Sequence, residues 1–137
     1  MKRITAAAAA TAVAAQCLLQ GCVSEYGNTE KLRDLEFQVV SEEDAPEELR
    51  SAIDEAQEKP YQIIYAEQDT LWIAEGYGKK DTSGYSVGIR ELYETEDAVH
   101  VRASLLGPGK GEEILETATY PCVIVRTEYV DKEVLFD

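Results

Sequence analysis

Ser86, His100 and Asp97 are the side chains in this sequence that could do hydrolytic chemistry. Ser86 sits in "GYSVG" (84–88), which fits G-x-S-x-G, the pattern around the nucleophilic serine of many esterases and lipases. A nucleophile elbow needs a strand, a strained turn and then a helix, with the serine exposed at the apex. Here Tyr85, Val87 and Ile89 alternate with Ser86, Gly88 and Arg90, so Ser86 lies inside a strand pattern and nothing helical follows. The single histidine, His100, lies 14 residues further on, with Asp97 just before it. His100 alternates with Val99 and Val101, which puts it on the half-solvated Arg102 and Ser104 face of a strand. These residues read as structural, so no catalytic residue is assigned and the chain is expected not to be an enzyme. "GPGKGEE" (107–113) lacks the G-x-x-x-x-G-K-[ST] of a phosphate loop. No CxxC, Cys/His cluster or D-x-[DN]-x-[DN]-G loop is present, so neither a metal nor a cofactor is expected.

The cysteines point elsewhere. "MKRITAAAAATAVAAQCLLQGC" opens with Lys2 and Arg3, continues through an alanine-rich apolar run, and ends in Leu19-Gln20-Gly21-Cys22. A charged start, a short apolar stretch and small residues before a cut describe an export signal. The last four residues resemble the lipobox of bacterial lipoproteins, L-x-[GA]-C, in which the cysteine thiol takes a diacylglycerol and becomes the first residue of the mature protein. Residues 1–21 are therefore expected to be a signal peptide. Cys22 is expected to carry lipid and to hold the protein at a cell membrane or envelope, facing outward. Several acyl chains anchor a protein stably where one would not. Cys17 leaves with the signal, and Cys122, in the apolar run "YPCVIV", reads as a buried, unpaired small apolar group.

Removal of 1–21 leaves 116 residues, room for one domain, with 11 basic against 27 acidic residues and a net charge of -16. That charge opposes binding to nucleic acid or to an anionic bilayer surface.

The elements that position these residues follow from periodicity. Residues 22–34 read as a polar tether, and 35–137 as a single domain. "LEFQVV" (35–40) alternates like a strand. "SEEDAPEELRSAIDEAQEK" reads as a helix, with Asp44 as cap, Pro46 in the first turn, and a stripe of Leu49, Ala52, Ile53 and Ala56 ended by Pro60. Strands are expected at 61–67 and 70–78 around a Gln68-Asp69 turn, and at 84–94 and 98–106 around a second turn. "YPCVIVRTEYV" (120–130) reads as a central strand and "EVLF" (133–136) as an edge. The expected fold is α+β, one short helix packed on a mainly antiparallel sheet of five to seven strands. Two loops stand out, "GKKDTS" (78–83) and "GPGKGEEILE" (107–116).

The stretch "GYGKKDTSGYSVGIRELYETEDAVHVRASLLGPGKG", followed by "TATYPCVIV", resembles the C-terminal domain of the PrcB family. Gly78, Thr82, Gly84, Tyr85, Val87, Ile89, Pro108, Tyr120 and Pro121 fall where that pattern wants them, over roughly residues 71 to 128. The family is bacterial and often lipid-anchored, and it is named for an accessory subunit of a surface protease complex. That subunit binds the protease polypeptide and is not itself proteolytic. The resemblance implies a non-catalytic protein-binding or stabilising module, with a surface protease or another envelope protein as partner. The alternative is a sensory or envelope lipoprotein that binds sugar or peptide, for which Trp72 and the eight tyrosines are the basis. The docking face is expected on the 78–83 and 107–113 loops. Lys79, Lys80 and Lys110 would give positive spots on a negative surface, and Tyr77 and Tyr85 would serve as anchors. The sheet edge at "EVLF" is the rival surface.

Overall fold

Leu71-Trp72-Ile73-Ala74 is apolar at every position, and both sides of that strand are buried. The computed structural model describes residues 3–6 and 30–137. Its strands are β1 (Arg3–Ala6), β2 (Lys31–Asp34), β3 (Phe37–Val40), β4 (Pro60–Glu67), β5 (Thr70–Tyr77), β6 (Ser86–Thr95), β7 (Ala98–Leu106), β8 (Cys122–Glu128) and β9 (Glu133–Phe136). One α-helix, α1 (Glu47–Ala56), lies among the described residues, preceded by a single 3-10 turn at Glu42–Asp44. The lipidation box at 19–22, and all of the expected signal except residues 3–6, fall outside the described residues.

The α+β arrangement expected from the sequence is overturned. The protein is mainly β, and its strands form two sheets rather than one, in the orders β1-β4-β5-β8-β3 and β2-β6-β7-β9. Leu71, Ile73, Val123 and Val125 of the first sheet meet Leu92, Val99, Val101 and Val134 of the second in one core. On the opposite face of the first sheet, Ile63, Tyr65, Trp72, Ala74 and Ile124 pack against Leu49 and Ile53 of α1. The larger sheet is thus covered on both sides, which is why β5 and β8 are apolar runs. The smaller sheet is covered on one side and alternates.

The physical reason for the correction lies in the loops. Residues 78–85 and 107–121 have the Gly-, Lys- and Pro-containing composition of any surface connection, which does not say whether the chain returns to the same sheet. The first carries the chain from the larger sheet to the smaller, and the second carries it back.

Other expectations meet the structure element by element. The hairpin β4–β5 turns at Gln68 (φ 55) and Asp69, and β6–β7 turns at 96–97. The stripe of α1 is buried at Leu49 and Ile53 as its spacing requires. Pro46 is the N-cap, and Asp44 accepts a hydrogen bond from Ser41 instead of capping α1. The polar stretch read as tether ends in a strand, β2, fully exposed and paired to β6. β9 lies at the edge of its sheet, and its pairing to β7 is parallel.

Candidate functional site

The two crossovers leave the sandwich at the same end and bind each other. Lys80 and Thr119 exchange backbone hydrogen bonds of 2.8 and 2.9 Å. The Ser83 N–H donates to the Leu115 carbonyl at 3.0 Å, and the Leu115 N–H donates to Ser83 Oγ at 2.8 Å. Thr119 Oγ1 donates to the Thr82 carbonyl at 2.7 Å. Gly84 holds φ 97, and a Cβ there would stand 2.8 Å from the Pro108 ring, so the close approach of the two loops requires glycine on both counts. At the tip, Glu112 accepts the Gly109 N–H at 2.8 Å. The loops are therefore a built surface, closed by side chains and backbone together.

The five residues singled out from the sequence gather at this end. Tyr77 closes β5, and its N–H donates to the Pro121 carbonyl at 3.1 Å. Burial, helped by the charge of Glu75, holds the Tyr77 phenol above its ordinary pKa. Lys80 Nζ stands 5.7 Å from the centroid of the Tyr85 ring, a cation–π contact. Lys79 and Lys110 are exposed. The lysines share these loops with Asp81, Glu112, Glu113 and Glu116, so the surface is mixed in sign rather than a positive patch. Sequence reasoning missed the exposed apolar residues here: Leu106, Ile114 and Leu115 are 52, 40 and 66 % exposed. The signal was available in "EEILE", an apolar pair set among carboxylates in a loop.

Ser86 and His100 are not brought together. Ser86 pairs with Leu106 at one end of the β6–β7 hairpin, and His100 pairs with Tyr93 near the other. Seven residues of strand separate the two positions, about 20 Å. His100 stacks on Tyr93, with ring centroids 4.9 Å apart. Its Nδ1 stands 3.3 Å from Asp137 and its Nε2 3.3 Å from Thr95 Oγ1. Asp97 is exposed in the turn. Cys122 is half-buried rather than enclosed, opposite Gly76, and burial pushes its thiol above the ordinary range, which makes it a weak nucleophile. Among the described residues, no group of three or more His, Cys, Asp or Glu stands where it could hold a metal ion.

The far end of the sandwich is tied by charge. Glu94, largely buried, receives Lys132 Nζ at 2.6 Å and Arg33 Nε at 2.7 Å, and Arg33 reaches on to Glu128 at 2.8 Å. Hydrogen bonds from Lys132 and then Arg33 hold the Glu94 carboxyl below the usual carboxylate range. This network fastens β2 and the turn before β9 onto β6.

Residues 71–128 match the family model described as PrcB C-terminal. That span runs from β5 through β8, so it holds both crossovers, the two central strands of the larger sheet and the β6–β7 hairpin. Among curated proteins and among solved structures, nothing matches the chain.

Proposed function

Starting from a chain whose residues 71–128 belong to the PrcB C-terminal family, we propose that it is a non-catalytic protein-binding module. Its partner is an extracytoplasmic protease polypeptide, which it holds or stabilises, and a lipid on Cys22 keeps it at the membrane. The family match is the observation that carries this reading. The interlocked crossovers support it, because both loops lie inside the matched span and, with the end of β7, present Leu106, Ile114 and Leu115 on a fixed frame. A preformed surface loses little entropy on binding. The lipid anchor rests on the Leu19–Cys22 box behind the charged start.

The test uses the protein purified from membranes of the expressing cell. The mass should show cleavage before Cys22 and added acyl chains. Tagged protein should retain a protease polypeptide through a salt wash. Cys22→Ser should move it to the soluble fraction with its binding intact. An uncut signal sinks the anchor, and a folded protein that retains only small sugars or peptides sinks the protein-binding reading in favour of a sensory one.

A further inference from the structure

β4 stands next to the edge of the larger sheet, and on the side away from β5 it takes a strand. In this structure β1 lies along it, antiparallel, with Arg3 opposite Ala66, Ile4 opposite Tyr65, Thr5 opposite Ile64 and Ala6 opposite Ile63. Those four residues fall within the segment read as a signal peptide. Once 1–21 are removed, the backbone N–H and C=O groups that β1 satisfies face outward along β4.

Such an edge is normally blunted by shortness, charge, proline or a bulge. β4 has none of these along its middle. It is eight residues long, its register with β5 runs from Pro60↔Tyr77 to Glu67↔Thr70 without a shift, and residues 61–66 carry no charge. The other edges are guarded. β2, β3 and β9 are each four residues long. β2 has an irregular register and charges at three of its four positions. Asp131, Lys132 and Glu133 precede the apolar part of β9.

β4 is also held rigid. Tyr61 lies across Gly76 of β5, where any Cβ would fall inside the ring. Ile63 and Tyr65 are anchored under α1.

We propose that the outer edge of β4 is a strand-acceptor site, and that in the processed protein it takes an extended, basic and apolar segment of a partner polypeptide as an added antiparallel strand. The proposal rests on the protein-binding reading above and on removal of residues 1–21. Charge selects the occupant. The processed chain carries -16, and the segment seated on it here comes with Lys2 and Arg3. A second copy of this chain would bring another -16 against the first, which opposes a symmetric β4–β4 pairing. Backbone pairing supplies affinity in this mode, and the side chains opposite Ile63 and Tyr65 supply choice.

The acceptor edge is tested on the full chain by amide hydrogen exchange, with a synthetic peptide of residues 2–8 (KRITAAA) as probe. Thr5→Pro removes a backbone donor and breaks the covering strand. It should speed exchange of the outward amides in 63–66 by about tenfold or more, while β5 and β8 keep their protection. The added peptide should restore protection, and the same peptide with proline in place of its threonine should not. Unchanged exchange in the Thr5→Pro chain, or equal protection by the proline peptide, overturns the acceptor site. The occupant is tested on the processed protein: excess KRITAAA should displace the retained polypeptide. Retention unaffected by a peptide that protects β4 overturns the partner assignment. Retention of no polypeptide at all sinks the proposed function, while the exchange result still decides the edge.

Discussion

The crossover face and the β4 edge offer a partner opposite things. The crossovers have spent their backbone groups on each other, from Lys80–Thr119 to Ser83–Leu115, and present side chains of mixed charge with exposed Leu106, Ile114 and Leu115. The β4 edge, paired with β1 in this structure, would present backbone once residues 1–21 were removed, uncharged over six residues. The first lies inside the span shared with the PrcB C-terminal family, and the second lies outside it. If the proposed strand-acceptor site holds, the part of the chain that matches the family carries one of the two surfaces, and the strand that selects the polypeptide is added outside it.

The comparison is broken most severely at Gly76. Gly76→Ala drives a methyl into the Tyr61 ring and forces that ring off β5. Overpacking of this kind costs typically 1–3 kcal/mol, and here the upper end, about 3 kcal/mol, is expected in denaturant unfolding. The crossovers should keep their arrangement once the variant is folded. If Gly76→Ala is neutral, the platform under the edge is softer than described.

Gly84 is the matching point on the other surface. Gly84→Ala combines a left-handed backbone with the Pro108 contact, and should cost about 1–2 kcal/mol. It should loosen exchange at Ser83 and Leu115 while leaving 63–66 untouched. Loss of protection at both places would mean that the two surfaces are coupled.

The smallest effect belongs to Glu75 of β5, which lies between Gln62 of β4 and Val123 of β8. One of its carboxylate oxygens is buried without a hydrogen-bond partner, and burial raises the carboxyl above the ordinary carboxylate range. The folded state therefore holds the proton more tightly than the unfolded one. Its stabilising contribution is complete below about pH 4.5 and is lost as pH rises through the folded pKa. Glu75→Gln should remove that loss and raise stability at pH 7 by less than about 1 kcal/mol, discounted for partial exposure. Glu94 runs the opposite way: its lowered carboxyl contributes above the ordinary range and loses that contribution as pH falls. A variant that leaves the slope of stability between pH 4 and 7 unchanged would place the proton elsewhere.

Much of this was legible in the sequence. The stripe Leu49–Ile53, the Gln68-Asp69 turn and the alternation through 84–106 each encode a local period, and local periods survive folding. The split into two sheets was not legible, because a loop that returns to the same sheet and one that crosses to another share a composition. β2 was missed for a related reason. "KLRD" is exposed at every position, so no buried face imprints alternation on it. At the site, Tyr77, Lys80 and Tyr85 could be grouped because they are close in sequence. Leu115, 32 residues from Ser83, could be joined to it only by the fold.

The most direct test of the account compares three surfaces at once, by hydrogen exchange of the processed protein free and bound to the polypeptide it retains. The account predicts new protection on the outward amides of residues 63–66. Protection confined to 79–85 and 107–116, or to 133–136, with β4 exchanging as in the free protein, would contradict it.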